Sequence, residues 1–463
     1  MSDHLDADQP DKTEQTGDRL RNLLATADGD GLAALLDPLP LSDALRDLLR
    51  LSPEERAAVM SLIPADLAAR FVDEAPKKLA VDFVERLDTE AAAEIIDELD
   101  SDVQADVIGE LREDDADAIL ARLDHEDAAN VRRLVEYEHD TAGGLMVAEA
   151  FTFREDDTVA AVLRRLASDE EDFERYRGQH PYMLDASGVP IGVVSLRNLL
   201  TAKRGARLSD IMIAPLVVPV TATLDELRDV FDANPFLGVP VVEAEGHLVG
   251  VVSRAAVDLA ALERAEAEKL KRHGVVGDEL RSMPVLIRSR RRLAWLSANI
   301  VLNIMAASVI SAYEETLAAV IAIAIFLPMV SDMSGCSGNQ AVAVTMRELS
   351  LGLIKPLDVL WVWTREVSVG LINGAVLGVL IAVVAWVWKG NPYLGLVIGL
   401  ALALNTLISV SIGGVVPLLL KRVGQDPAAA SGPLLTTVTD IMGFFLVLSL
   451  ATVFMPYLIG STG

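Results

Sequence analysis

The stretch LAWLSANIVLNIMAASVISAY, Leu293–Tyr313, runs for 21 residues without a charge. A helix needs about 20 apolar residues to cross the hydrocarbon core of a bilayer. Further uncharged runs follow at Thr316–Val330, Val367–Trp388, Pro392–Leu420 and Ile441–Gly463. Buried helices of water-soluble proteins are usually shorter, so the pattern predicts five membrane-spanning helices within residues 288–463.

Working outward, the charge divides the chain in two. All 463 residues together have a net charge of -28 yet a mean hydropathy of +0.35. Residues 288–463 hold 8 acidic and 10 basic residues, and the preceding 287 hold the other 60 and 30. The acidity therefore belongs to the N-terminal part, at -30. A region of that charge repels phosphates, which excludes nucleic acid as a partner. The single cysteine, Cys336, excludes an intrachain disulfide framework and a thiolate zinc site. Met1–Gly17 is polar and acidic, so a disordered tail rather than a signal peptide is expected there.

Basic residues between the spans predict the orientation. Arg288, Arg290, Arg291 and Arg292 precede the first span, Arg347, Lys355 and Arg365 lie in a later loop, and Lys421 and Arg422 follow Leu420. Positive charge marks the cytoplasmic side, which places the N-terminal region inside the cell and the C-terminus outside, with Lys389 as the one outside exception.

The soluble part contains two repeats. Leu87, Leu99, Leu111 and Leu123 recur every 12 residues, each opening a similar phrase with a polar turn suited to capping a helix. Ala92, Ala105, Ala116 and Ala128 leave room for close helix contact. Units this short stack rather than fold alone, which predicts a superhelix of short helices. Farther on, PYMLDASGVPIGVVSLRNLL (Pro181–Leu200) matches VPVVEAEGHLVGVVSRAAVD (Val239–Asp258) at an offset of 58, pairing Gly188 with Gly246, Gly192 with Gly250 and Ser195 with Ser253. Each copy predicts strand, glycine turn, strand and helix, preceded by amphipathic helices at Thr158–Ala167 and Leu224–Phe231. This resembles a tandem pair of CBS modules, which usually sense small ligands. Many such modules hold the ribose of an adenine nucleotide with an Asp three residues after the Ser or Thr. Those positions are Asn198 and Ala256 here, so no nucleotide is expected.

Two carboxylates fall in or beside the apolar runs, Asp332 and Asp440. An Asp at mid-bilayer costs about 2.5–3.5 kcal/mol on insertion scales, so such groups face a polar interior. In GPLLTTVTDIMGF, Thr436 shares a helix face with Asp440 and Thr437 lies close to it. Gly432 and Pro433 are expected to interrupt the helix just before and to free carbonyls. In FLPMVSDMSGCSGNQA, Pro328, Gly335 and Gly338 are expected to do the same beside Asp332, with Asn339 and Gln340 adding amide oxygens. No histidine lies beyond His273, so the donors are hard oxygens. Mg2+ keeps several waters and touches one or two carboxylates, which such a sparse set suits. The alternative is a structural bridge from either Asp to a basic residue. The sequence carries no evident nucleophile–base set or nucleotide loop, so an enzyme is not expected.

The order of parts, with DTAGGLM (Asp140–Met146), LP…GNQ (Leu327–Gln340), GQDPA (Gly424–Ala428) and PLLTTVTDIMG (Pro433–Gly443), resembles the MgtE family of magnesium channels and transporters. The resemblance covers nearly all of residues 20–463. It implies a homodimer in the cell membrane with a pore on its two-fold axis and Asp440 as the pore aspartate. The family's GGNxGxQ reads SGCSGNQ here, with Ser334 and Cys336 departing from it. Family acidic residues that hold regulatory Mg2+ near the connecting helix are replaced by Arg254, Ala255 and Ala256, leaving Glu263, Glu266 and Glu268 as candidates.

The expected organisation is multidomain: a disordered acidic tail over 1–18, an all-α superhelical N domain over 19–139, α/β CBS modules over 140–205 and 206–258, a connecting, plug-like helix over 259–287, and a five-helix α transmembrane domain over 288–463. The expected function is passive Mg2+ entry gated by cytosolic Mg2+ on the acidic domains. The candidate ion-path residues are Asp440, Thr436, Thr437, Gly338, Asn339, Gln340 and Asp332. The competing readings are a broader carrier of Co2+, Mn2+ or Ni2+, which Cys336 suggests, and a non-transporting membrane sensor.

Overall fold

The computed structural model describes residues 12–167, 180–275, 279–281, 283–425 and 427–460. It forms two compact units, Met1–Glu263 and Arg264–Gly463.

The N-terminal unit opens with short helices. Of the expected tail, residues 1–11 lie outside the described residues, and Lys12–Ala25 is helical instead. The 12-residue repeat becomes four helices that start 12 apart, Thr89–Asp97, Ser101–Ile108, Glu113–Leu120 and His125–Val135. Alternate helices pack on one another, so each repeat buries its apolar face against a neighbour two helices away. Ala92, Ala105 and Ala128 are buried at these contacts. Local capping starts several helices. Asp88 accepts from the backbone N–H of Glu90 and Ala91, and Ser52 and Glu55 form a reciprocal capping box. Arg56, nearly buried, bridges Asp82 at 2.6 Å and ties two helices together.

The CBS pair follows with seven strands: β1 Met146–Val147, β2 Thr152–Arg154, β3 Tyr182–Leu184, β4 Pro190–Val193, β5 Val218–Pro219, β6 Gly238–Val242 and β7 Leu248–Ser253. One sheet has the order β2-β3-β4 and the other β1-β7-β6-β5. The 58-residue offset holds in fine detail. Gly188 and Gly246 sit in matching turns at φ +87° and +88°, a left-handed conformation that glycine adopts without strain. The register breaks between Met183 and Leu184 in one copy and between Val241 and Val242 in the other. Ser195 and Ser253 each cap the helix that follows, accepting from the N–H of Asn198 and Ala256.

The module boundaries differ from those expected. β1, expected in the first module, pairs with β7 of the second sheet. Leu208, expected in the second module, is buried in the first module's core with Phe151, Val159, Met183 and Leu199. Each module borrows an apolar element across the sequence boundary, and no local signal announces that exchange.

The connecting segment is not one helix over 259–287. A helix runs Arg254–Arg272 and stops at Gly274, where φ is +70° and the N–H groups of Gly274 and Val275 turn back to the carbonyls of Lys271 and Leu270. Residues 276–278 and 282 lie outside the described residues. A methyl at Gly274 would stand 2.3 Å from the Trp295 indole, so the turn lies flat on that ring. Glu279, only 2% exposed, accepts from both Arg288 and Arg292.

Five helices are long and apolar enough to cross a membrane. They are the first span Val285–Ala312, the second Leu327–Ser350 with the short 3-10 turn Ile321–Ile325 before it, the third Val359–Lys389, the fourth Pro392–Arg422 and the fifth Pro427–Val453. The second span is not the uncharged run Thr316–Val330 but a helix that continues through Asp332 to Ser350. Asp440 lies mid-way along the fifth helix. The expected interruptions are also absent. Pro328 occupies the first turn, where a missing N–H has no consequence, and Gly335 and Gly338 lie within one continuous helix. Gly432 and Pro433 are likewise helical, and the Thr437 hydroxyl donates to the Pro433 carbonyl at 2.7 Å. The third and fourth spans approach closely along glycines, such that a methyl at Gly378 would meet the Gly399 carbonyl oxygen at 2.7 Å. The fourth span is the most buried of the five.

Candidate ion-path site in the membrane unit

The second, fourth and fifth spans bring the site together. Asp440 is half-buried and accepts a hydrogen bond from the Ser331 hydroxyl of the second span. Asp332 is exposed on the second span. Among the described residues, no Lys or Arg forms an ion pair with either. A structural salt bridge therefore does not account for them.

The remaining candidates separate into two groups. Asp332, Asn339 and Gln340, with Cys336, line one exposed face of the second span, and Thr436 is exposed on the fifth. Thr437 is half-buried and bonded to its own helix. Gly338 is different. It is buried against the fourth span, where a methyl would stand 2.2 Å from the Ser409 hydroxyl and 3.0 Å from Leu435. Its own carbonyl oxygen would lie 2.3 Å from a methyl at Gly413. Gly338 thus sets the spacing of two helices rather than presenting a carbonyl to a path.

A polar seam that was not singled out from the sequence lies behind Asp440. Asn405, fully buried in the fourth span, donates to the Ser334 hydroxyl and, at 3.1 Å, to the Thr439 carbonyl. One turn on, the Ser409 hydroxyl donates to the Ser334 carbonyl at 2.6 Å. Ser334, which departs from the family pattern, is therefore engaged through both its hydroxyl and its carbonyl. The spacing of Asn405 and Ser409, four apart in an uncharged run, was the available signal. Glu366, half-buried beside Gly414, was missed because the uncharged run begins one residue after it.

The soluble candidates are more dispersed. Glu263 and Glu266 are exposed on the Arg254–Arg272 helix, and Glu268 pairs with Arg264 at 3.7 Å. Among the described residues, no group of three or more acidic, His or Cys side chains converges as a chelating cluster. In the first CBS module the Asn198 amide donates to the Ile211 carbonyl at 3.0 Å.

Residues 327–450 match the family described as divalent cation transporter, residues 39–140 the MgtE intracellular N domain, and residues 208–261 the CBS domain. The magnesium transporter MgtE of Thermus thermophilus is 33% identical over 70% of this chain and 72% of its own length. That of Bacillus subtilis is 29% identical over the same shares. Among solved structures, the cytosolic domain of the Mg2+ channel MgtE in complex with ATP is 29% identical, covering 53% of this chain and 99% of that one at a TM-score of 0.47.

Proposed function

Because the chain belongs to the MgtE family of magnesium transporters, we propose that it moves Mg2+ passively into the cytoplasm along a polar path centred on Asp440. It is a multi-pass membrane protein with an N domain and CBS modules. The observation that carries the proposal is the carboxylate of Asp440 in mid-span, hydrogen-bonded to Ser331 and paired with no cation among the described residues. A carboxylate in that position is costly unless it faces water or an ion.

The exposed face of Asp332, Asn339, Gln340 and Thr436 cannot be left to lipid. A second copy of the chain would cover it, placing two Asp440 carboxylates about a shared axis in a homodimer. A hydrated Mg2+ would then be held through its waters by two carboxylates, with the amide and hydroxyl oxygens orienting the outer shell. An inside-negative potential supplies about 4.6 kcal/mol per divalent ion per 100 mV, twice the single-charge value, so passive entry suffices. The arginines from Arg288 to Arg292 support a cytoplasmic soluble unit, with the last span's end outside.

Gating follows from the -30 charge of the first 287 residues. Divalent cations bound among its carboxylates relieve self-repulsion and favour a compact, closed arrangement, and Glu263, Glu266 and Glu268 are the regulatory positions on the Arg254–Arg272 helix. A ligand shifts such an equilibrium only through its differential affinity for the two states. Limited proteolysis of the full chain with and without millimolar Mg2+ tests this, with ATP as a separate arm. Identical cleavage in Mg2+ and in chelator would remove the gating proposal.

Ion flux into liposomes tests the path. Asp440→Asn is expected to abolish saturable Mg2+ entry, and retained entry would overturn the proposal. Cys336 on the exposed face favours a second reading, a broader range that includes softer ions. Co2+, Mn2+ and Ni2+ in the same assay decide between the two.

A further inference from the structure

We infer that Asn405 is a positioning residue for Asp440, acting through Ser334 and the backbone of Thr439; this rests on the reading of Asp440 as the ion-contacting group. The connections form a closed loop through three helices. The Asn405 amide nitrogen donates to the Ser334 hydroxyl and to the Thr439 carbonyl. The one Ser334 hydroxyl hydrogen is shared between the Val330 carbonyl at 2.7 Å and the Ser331 carbonyl at 2.9 Å, and the Ser331 hydroxyl donates to Asp440. Thr439 is the residue before Asp440, so the loop returns to its start.

The chemistry of the amide suits this role. A carboxamide nitrogen has two hydrogens in one plane, whereas a hydroxyl has one. Asn405 can therefore fix the second and fifth helices at once, in separation and in rotation. Its place is tightly bounded, since a methyl at Gly443 would stand 2.8 Å from the same nitrogen. The Asn405 carbonyl oxygen is buried without a partner among the described residues. An unpaired buried acceptor is a standing cost that an apolar side chain of similar volume would avoid. Simple packing does not explain such a residue, and control of a neighbouring charged group does. Groups behind a metal-contacting carboxylate set its orientation, and through it the affinity for the ion.

Initial rates of Mg2+ entry are measured against Mg2+ concentration in liposomes holding the full chain, normalised to folded protein, with Mn2+, Co2+ and Ca2+ as further arms. Asn405→Leu is expected to raise the KM for Mg2+ about tenfold, the lower end for partners behind a metal ligand. The maximal rate per folded protein is expected to change far less. Ser334→Ala raises KM by a smaller factor, and the double variant is no worse than Asn405→Leu because both act along one connection. Loss of thermal stability alone, with wild-type KM and ion preference in folded Asn405→Leu and Ser334→Ala, overturns the inference. Where Asn405→Leu does not fold, Ser334→Ala decides by the same criterion. Asp440→Asn separates the two levels. If it retains saturable entry, the path reading and the positioning role fall together. If it loses entry while the Asn405 and Ser334 variants match wild type, only the positioning role falls.

Discussion

Replacing Gly413 by alanine probes the helix spacing on which the site depends. The new methyl would stand 2.3 Å from the Gly338 carbonyl oxygen and 3.0 Å from the carbonyl carbon. Those atoms are backbone within a continuous helix, so no rotamer change relieves the clash. The second and fourth spans must separate by roughly 1 Å to restore ordinary contact, and overpacking against backbone that cannot rotate away costs about 2–3 kcal/mol, the upper part of the usual range. Alanine recovers about 1 kcal/mol through its higher helix propensity. The net loss is about 1–2 kcal/mol, a fall of about 2–8 °C in Tm for a unit of roughly 200 residues. Gly370→Ala is the matched control. Its methyl meets the Leu407 side chain at 3.3 Å and Val410 at 3.4 Å, and Leu407 can adjust. With the same propensity gain set against a milder contact, that variant is expected at wild-type stability or up to about 1 kcal/mol above it. Thermal unfolding in detergent, followed by loss of the monodisperse peak, reads both, and Mg2+ flux is measured alongside. A Gly413→Ala protein as stable and as active as wild type would refute the close approach at Gly338.

Two further outcomes follow from local geometry. The Glu279 carboxyl is held below its ordinary range, first by its hydrogen bond from Arg292 and then by Arg288, against the opposing effect of burial. A depressed carboxylate contributes to the folded arrangement above its unfolded value of about 4.3 and loses that contribution as pH falls through the folded value. Hydrogen exchange in residues 279–292 should therefore be flat from neutral pH down to about 5, after correction for intrinsic rates, and rise below about 4. Glu279→Gln should show the fast pattern throughout, and equal exchange in both proteins at neutral pH would count against the contact. Ser195→Ala and Ser253→Ala each remove a helix cap worth about 1 kcal/mol. Each is expected to lower the stability of the CBS pair by that amount in denaturant unfolding, and no change in either would contradict the capping geometry.

Much of the soluble fold was legible because its signals are local. The 12-residue phrases start helices through their own capping groups, and the 58-residue repeat carries its turns and caps within each copy. Charge was a poorer guide to span limits. The uncharged runs stop short of Asp332 and Asp440, but both lie inside helices, because an acidic group is tolerated mid-helix when its face is polar. Proline and glycine misled for a similar reason. Pro328 sits where a helix begins, and Gly338 serves a neighbouring helix rather than a break in its own.

The sequence by itself determined the number of spans, the two families of repeat, and Asp440 as the charge needing an explanation, since hydropathy and turn chemistry act over a few residues. Only the tertiary structure decided which polar groups meet. Ser331 and Asp440 are 109 positions apart, and Asn405 and Thr439 are 34 apart. Their contact depends on which helix faces come together. That choice is made by the fit of small residues such as Gly338 and Gly413 against backbone, which no single stretch of chain encodes.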